Sequence, residues 1–531
     1  MTHTNLKCVL AIDLGSSGPK VSVVNQQGEI LATRSGVFHN IYTDNGKGVE
    51  QDADVWWQVI LMLAKEVIDE SGAAQNIVAI SNCSQYFSSV PVDKEGNATY
   101  HAIMWEDTRA AKYINQVMGG WPSVMGYNIF KAAKWLGSVG IPPLLSGIDG
   151  GSHMLLLKNE KPDAWQKTYK VLEPSDYLSL KFTGRFCTNE NTGFGYALIK
   201  KAAWSQGTFD KKLINTLGLD FDKFPDIVPV GANLGKVNPQ VAGYLGLRND
   251  VQVFSGIVDT SAFMVGCGAF NEYDMAIDLG TTLSTGVVVS KRIIDVFTGV
   301  FSLTSPVTGK YSMVGELGSG TKALNFLIHN FLRADDELTK INEDTDLHYA
   351  AIADKMAAES PVGSNGVVFM PWIFGSTFPE QDANIRGGFI NLNPVATRSD
   401  MVRAVFESYA LALKWSLQIT DARLNRKIEK VNLVGGGALW HTAAQIFADA
   451  LQIPVHIPEH PRQTNTKGVA FMCFNNLGIT SYSEISSTLK IDKIFQPQQQ
   501  NFSFYTKRLI FYKRLYKTMR PLYTSLNAVS A

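Results

Sequence analysis

Two short segments of the chain carry the same set of groups able to handle a phosphate. Residues 11–17 read Ala-Ile-Asp-Leu-Gly-Ser-Ser and residues 276–282 read Ala-Ile-Asp-Leu-Gly-Thr-Thr, 265 positions apart in a chain of 531. A glycine at a turn lets backbone N–H groups come close to an anion, and neighbouring hydroxyls add short donors. Gly15, Ser16 and Ser17 supply this set in the first copy, and Gly280, Thr281 and Thr282 in the second. Lys20 can reach a phosphate as a point charge. Asp13 would repel one, so its natural part is to hold Mg²⁺ through water. A third cluster, Gly435-Gly-Gly-Ala438, follows the apolar Val431-Asn-Leu-Val434 and opens a helix. Gly436, Gly437 and Ala438 would there let a base or ribose approach the backbone; a tight strand-to-helix turn is the alternative. Asp259 follows the apolar Phe254-Ser-Gly-Ile-Val258 and should stand at a strand end. From there it can take the proton of a reacting hydroxyl or cap the helix that begins at Thr260, and position alone does not separate the two.

These groups need rigid elements behind them. Each repeat follows an apolar segment (Cys8-Val-Leu-Ala-Ile12 and Met275-Ala-Ile277) and precedes a β-rich one (Val21-Ser-Val-Val24 and Gly286-Val-Val-Val289). That pattern predicts a β-hairpin in each case. Repetition at half the chain length predicts two related domains, against the alternative of two coincidentally similar hairpins. The boundary is expected near residues 250–258, giving domains 1–254 and 255–531. Strand-like runs at 77–81 and 102–105 alternate with helical stretches at 54–70 and 163–183, a mixed α/β pattern. Two further helices are expected, one over about 399–420 with Ser399 as N-cap and one running through 443–451. A last helix, about 505–527, interleaves Tyr505, Phe511, Tyr512 and Tyr516 with six basic residues. It reads as a docked terminal helix with a solvated basic face rather than a membrane or acidic-partner binder.

Bulk properties exclude other classes. Lysine and arginine total 48 and aspartate and glutamate 48, so net charge gives no reason to expect nucleic acid or a membrane surface as partner. The longest apolar run, Val59-Ile-Leu-Met-Leu-Ala64, is far short of the ~20 residues that span a bilayer. The N-terminal Met1-Thr-His-Thr-Asn-Leu-Lys-Cys8 shows no secretory pattern, and the five cysteines are scattered without a CxxC. A cytoplasmic protein with reduced, mostly buried thiols is the expectation. His456 and His460 are four apart, but Pro454, Pro458 and Pro461 preclude the helix that would pair them on a metal. The chain has no GxGxxG, no complete GxxxxGK[ST] and no protein-kinase motif set, so phosphate handling here needs another architecture.

The motifs together point to one. Asp13-Leu-Gly-Ser-Ser-Gly-Pro-Lys20 resembles the first phosphate motif of the FGGY carbohydrate kinases, within the actin/hexokinase-like ATPases. Val49-Glu-Gln-Asp-Ala-Asp-Val-Trp-Trp57 and Ala102-Ile-Met-Trp-Glu-Asp-Thr-Arg109 resemble that family's Glu-Gln-Asp…Trp-Trp and Trp-x-Asp-x-Arg segments. Gly256-Ile-Val-Asp-Thr-Ser-Ala262 resembles the segment that supplies its catalytic aspartate. Gly280-Thr-Thr282 stands at the second phosphate motif, Gly387-Gly-Phe-Ile-Asn-Leu392 with Asp400 and Glu407 at the second signature, and Gly435-Gly-Gly-Ala438 at the adenosine motif. Asn391 replaces a usual glycine, and Asp278 is an unusual charge before the second turn.

The resemblance implies a fold of two ribonuclease H-like α/β domains around a deep interdomain cleft, with a phosphate turn on each wall and closure that shuts water out. It implies ATP and Mg²⁺ as cofactors, Asp259 as catalytic base, and a sugar or polyol as substrate. The sugar-contacting residues would be Gln85, Tyr86, Phe87, Asp107 and Thr260. For Asp107 the alternative is an ion pair with Arg109 at a strand end. Glycerol kinases carry Arg-Glu where Tyr86-Phe87 stand, and xylulose kinases Met-His, so glycerol is disfavoured and a pentulose such as xylulose leads. Ribulose, ribitol, fuculose, gluconate and erythritol are the other candidates. A non-catalytic sugar or nucleotide sensor and a chaperone-like or filament-forming ATPase are competing readings of the fold. Retention of Asp259 and Gly280-Thr281 speaks against the first, and the Trp-x-Asp-x-Arg segment against the second. Homodimers are the default expectation for assembly.

Overall fold

The repeated segment forms the same element twice. In the first copy β1 (Cys8–Gly15) pairs antiparallel with β2 (Gly18–Asn25), Gly15 opposite Gly18, so Ser16 and Ser17 alone make the turn. In the second, β8 (Met275–Leu279) pairs antiparallel with β9 (Thr282–Val289). The structure is a computed structural model that describes residues 6–295, 299–328, 346–379, 382 and 384–528. Residues 1–5, part of the N-terminal segment read for a leader, lie outside them. Among the described residues no helix is long and apolar enough to cross a membrane. The chain divides into two units. One comprises Met1–Phe270, Leu303–Ser312 and Asn465–Thr488, the other Asn271–Ser302, Met313–Thr464 and Leu489–Ala531.

In the first unit β3 (Ile30–Ser35), β4 (Ile77–Ser84), β5 (Asn233–Lys236) and β6 (Gln252–Phe254) complete a sheet in the order β5-β6-β4-β1-β2-β3. The short β7 (Ile257–Val258) pairs parallel with the far end of β4. β1 is buried along nearly its whole length because it runs through the sheet centre, which is why it reads as a continuous apolar run. Helix α1 (Ala53–Ser71) is capped by Asp52, whose carboxylate accepts from the Asp54 and Val55 N–H groups, and it ends at the left-handed Gly72. Its Trp56, Ile60, Leu63 and Val67 join Leu10, Ile12, Val21 and Val23 in the core.

The second unit repeats this plan. β10 (Phe301–Thr304), β11 (Tyr311–Ser319), β12 (Val431–Val434), β13 (Val455–Pro458) and β14 (Ile491–Phe495) complete a sheet in the order β10-β11-β9-β8-β12-β13-β14. Two parallel strands follow the hairpin's first strand in both sheets, β4 and β6 beside β1, β12 and β13 beside β8. Each sheet then ends in an antiparallel edge strand, β5 or β14. Two related α/β domains are therefore present in backbone topology as well as in sequence.

Three local expectations shift. The stretch at 163–183 is not one helix. It comprises a helix Pro162–Lys167, a strand Lys170–Leu172 paired with Val90–Val92, and α2 (Pro174–Thr183). Pro174 cannot continue a helix through its missing N–H and biases the residue before it to extended backbone. The strand at 102–105 contracts to Ala102–Ile103. The long helix is Arg398–Leu424 and its cap is Thr397, not Ser399, because Thr397 and Asp400 close a reciprocal capping box.

Candidate active site

The first Gly-Ser-Ser turn is braced by two side chains. Gln51 donates its amide to the Ser16 carbonyl at 2.8 Å and accepts from the Trp56 indole at 2.8 Å. The Trp105 indole donates to the Ser16 hydroxyl at 3.0 Å. The Glu-Gln-Asp…Trp run therefore has a mechanical reason: Asp52 starts α1, α1 delivers Trp56, and Trp56 fixes the glutamine that holds the turn. Gly18 has no substitute, since a Cβ there would meet the Gly36 carbonyl oxygen at 2.1 Å. Ser17 remains exposed at the tip.

Asp13, at 6 % exposure, stands at the end of β1. Its Oδ2 lies 3.7 Å from Lys20 Nζ and accepts from Asn465 Nδ2 at 3.2 Å. The Cys83 thiol donates to its Oδ1 at 3.6 Å. Burial pushes the Cys83 pKa well up, and the charges of Asp13 and Asp259 push it further, so both carboxylates flank this thiol. Asp259 begins α3 (Asp259–Gly266) directly after β7. Its Oδ1 accepts from the Thr260 N–H at 2.7 Å and the Thr260 hydroxyl at 3.3 Å. A carboxylate in the first turn of a helix is favoured by the helix dipole. The strand end is held by two asparagines: Asn191 accepts from the Val258 N–H at 2.7 Å and donates to Ser261 Oγ at 2.6 Å, and Asn189 donates to the Gly256 carbonyl at 2.9 Å. Thr260, expected beside substrate, is buried with its hydroxyl on Asp259.

Of the segment 83–88, Cys83 and Ser84 end β4 and residues 85–88 leave it as a turn. Gln85 is 5 % exposed, and neither its Oε1 nor its Nε2 has a hydrogen-bond partner among the described residues. Such a buried orphan amide is costly unless a further group meets it. The Tyr86 and Phe87 rings lie 4.7 Å apart, and Phe87 adopts φ 61°, a left-handed backbone that bulky residues avoid.

Asp107 is fully buried, and its carboxylate accepts from Arg109 Nη2 at 2.6 Å and from the Val49 N–H at 2.9 Å. Arg109 also donates to Glu50 at 2.6 Å. Burial alone would raise the Glu50 pKa, but hydrogen bonds from Tyr100, Arg109 and His101 bring it below its ordinary value. The ion pair weighed for Asp107 is thus present.

In the second unit, the turn at 280–282 is gripped by the following loop. Thr321 N–H donates to the Gly280 carbonyl at 2.9 Å and Gly320 N–H to the Thr281 carbonyl at 3.2 Å. The Tyr409 hydroxyl, on α4 (Arg398–Leu424), donates to the Gly320 carbonyl at 2.6 Å. The adenosine-motif glycines pack on this hairpin. A Cβ on Gly435 would meet Asp278 Oδ1 at 2.3 Å, and one on Gly437 would meet the Leu279 side chain at 2.3 Å. Gly436 faces open space. A 3₁₀ turn, Gly436–Leu439, separates β12 from α5 (His441–Leu451) and carries Ala438, which is buried. Asn391 stands at φ 59° with its amide on the Gly366 carbonyl at 3.0 Å, so it meets the backbone demand that a glycine would have met.

The structure therefore gathers Asp13, Lys20 and Asp259 about Cys83, places Ser16 and Ser17 at a braced tip, and sets Gly435 against Asp278 and Leu279, which lead into the turn at 280–282. Sequence reading missed Asn465, Asn189, Asn191, Gly320 and Tyr409. The run Thr188-Asn-Glu-Asn-Thr192, buried although wholly polar, was the one signal available for two of them. Asn465 touches Asp13 across 452 positions, which local pattern cannot reveal.

The descriptions "FGGY family of carbohydrate kinases, N-terminal domain" and "C-terminal domain" match residues 8–266 and 275–476. A xylulose kinase of Staphylococcus epidermidis is 26% identical over 533 residues, covering 98% of this chain and 99% of that one. Among solved structures, a xylulose kinase and a gluconate kinase of Lactobacillus acidophilus each superpose with TM-score 0.82 at 22% identity, covering 98% of this chain and 100% of theirs. The fold is the actin/hexokinase-like one that these neighbours share. The chain belongs to the FGGY family of carbohydrate kinases, and it is a sugar kinase.

Proposed function

We propose that the protein transfers the γ-phosphate of ATP to the terminal hydroxyl of a pentulose, with xylulose the lead substrate. The observation that carries the chemistry is Asp259 at the start of α3, sharing the Cys83 thiol's surroundings with Asp13. Phosphoryl transfer needs an oriented hydroxyl, neutralised phosphate charge and a proton acceptor. Asp259 orients and deprotonates the sugar hydroxyl, the fixed backbone of β7 and the Asn191 clamp holding its direction. Ser16, Ser17, Lys20, Gly280, Thr281 and Thr282 bind phosphate oxygens, and Gly436, Gly437 and Ala438 bind the adenosine.

The donor set at Asp13 suits Mg²⁺, which keeps most of its waters and takes one or two carboxylates plus substrate phosphates. Asp13 would hold it, releasing Lys20 to a phosphate. The ion when bound supplies charge neutralisation of the phosphates.

On the sugar side Gln85 meets hydroxyls with its unpartnered amide, and Tyr86 and Phe87 offer apolar faces to the carbon skeleton. Asp107 and Thr260 complete this set. In this division of labour 1–254 carries Gln85, Tyr86, Phe87, Asp107 and the first phosphate turn, and 255–531 carries Asp259, Thr260, the second turn and the adenosine contacts. The names of the relatives favour xylulose, and the gluconate kinase neighbour makes gluconate the second reading.

Sugar-dependent ADP release, measured against pentuloses, polyols, hexuloses and gluconate, tests the proposal. The highest kcat/KM is expected for a pentulose. A higher value for gluconate would move the substrate to the second reading, and a higher value for glycerol would reject the reading of the 85–88 turn.

A further inference from the structure

Glu173 lies just before α2 (Pro174–Thr183), where a side chain would ordinarily cap the helix, yet it makes no such bond. It reaches instead to the turn after β4, where its Oε2 accepts from the Ser88 N–H at 3.3 Å. Phe87 is the residue held at φ 61°, a left-handed conformation that persists for a bulky side chain only where its surroundings over-determine it. Glu173 is 1 % exposed, and its Oε1 has no partner among the described residues. Room for that oxygen comes from Gly195, where a Cβ would lie 2.0 Å from Oε1 and 3.1 Å from the Phe87 nitrogen. Burial, then the nearby charge of Asp176, drives the Glu173 pKa well above the ordinary carboxylate value.

We propose that Glu173 is a positioning residue for sugar recognition: by holding the Ser88 N–H next to Phe87 it keeps Phe87 in its left-handed backbone and so sets the shape of the wall that meets the substrate. The inference rests on the reading of residues 85–88 as the sugar-contacting turn. Glutamine keeps a side-chain oxygen able to accept from the Ser88 N–H, whereas alanine removes the acceptor and releases the turn.

The test measures sugar KM, ATP KM and Tm for Phe87→Ala, Glu173→Ala, Glu173→Gln and Gly195→Ala in the full chain, with the best substrate of the panel. Loss of one such hydrogen bond predicts a sugar KM raised about tenfold in Glu173→Ala with ATP KM unchanged. Gly195→Ala, which displaces the carboxyl without removing it, should do the same, and Glu173→Gln should restore the sugar KM to within about twofold of wild type. If Phe87→Ala raises the sugar KM while Glu173→Ala and Gly195→Ala leave it unchanged, the inference fails and the reading of the turn stands. If Phe87→Ala leaves it unchanged, both fail. A Glu173→Gln as impaired as Glu173→Ala overturns the account of Glu173 as the acceptor that holds the Ser88 N–H. Should Glu173→Ala not fold, Gly195→Ala decides by the same criterion.

Discussion

Replacing Asp259 by asparagine isolates its chemistry from its structural bond. In the native arrangement Asp259 Oδ1 accepts from the Thr260 N–H at 2.7 Å, a bond that an asparagine carbonyl can keep. The substitution also removes a negative charge from beside Cys83 and Asp13, which relieves repulsion in the same buried cluster. Folding should therefore be preserved, with Tm unchanged or slightly higher. What asparagine cannot do is take the sugar's proton. Losing a general base typically lowers turnover by about 10²–10⁴, corresponding to roughly 2.7–5.5 kcal/mol of transition-state stabilisation. Because the proton moves only in the transition state, the loss should fall on kcat, with the KM for sugar and for ATP changed by less than about threefold. Coupled ADP-release kinetics at saturating ATP, alongside a thermal melt, give all these quantities. A variant that keeps more than about half of wild-type turnover would refute the assignment of Asp259 as base.

Three other outcomes follow from the geometry. Asp107→Ala should lower Tm, because Arg109 keeps only Glu50 as a close buried partner and breaking a buried pair costs about 3–5 kcal/mol. It should also narrow the ratio of pentulose to glycerol kcat/KM, and an unchanged ratio at lowered Tm would confine Asp107 to its ion pair. Gly435→Ala should raise the KM for ATP and lower Tm, since φ is 86° there and the new Cβ would lie 2.3 Å from Asp278 Oδ1. An unaltered KM and melt would contradict that packing. Asp176 is pushed up by burial to about 7, above the ~3.9 of an unfolded chain, so its stabilisation is present at low pH and lost as pH rises through 7. The Tm of Asp176→Asn minus that of wild type should accordingly grow more positive between pH 5 and pH 8, and a difference flat with pH would show that Asp176 does not titrate there.

How far the sequence reveals the protein depends on the range of the contacts involved. Both hairpins were legible because their signal is local: an apolar run, a glycine turn and a β-rich run, repeated at 13 and 278. The terminal helix was legible too, since Tyr505, Tyr512 and Tyr516 fall on one buried stripe. It runs Phe502–Ala528, with Tyr505 donating to Glu407 at 3.2 Å. The break at Pro174 was visible in principle and outweighed by the helical pattern around it. By contrast, the requirement for glycine at 435 arises from Asp278 and Leu279 on another strand, and the grip of Glu173 on Ser88 spans 85 positions of chain. Asn391 shows the converse case. A departure that weakened a motif on paper is accommodated because asparagine tolerates the left-handed backbone that the site demands.

The central claim is that these groups transfer phosphate from ATP to a terminal sugar hydroxyl. Phosphorus NMR of a reaction containing the purified full-length protein, ATP, Mg²⁺ and xylulose tests it most directly. The account predicts one phosphomonoester per ADP formed, its phosphorus coupled to the protons of a terminal methylene, and no comparable ADP without sugar. Inorganic phosphate in place of the ester, or ADP formation independent of every sugar in the panel, would contradict it.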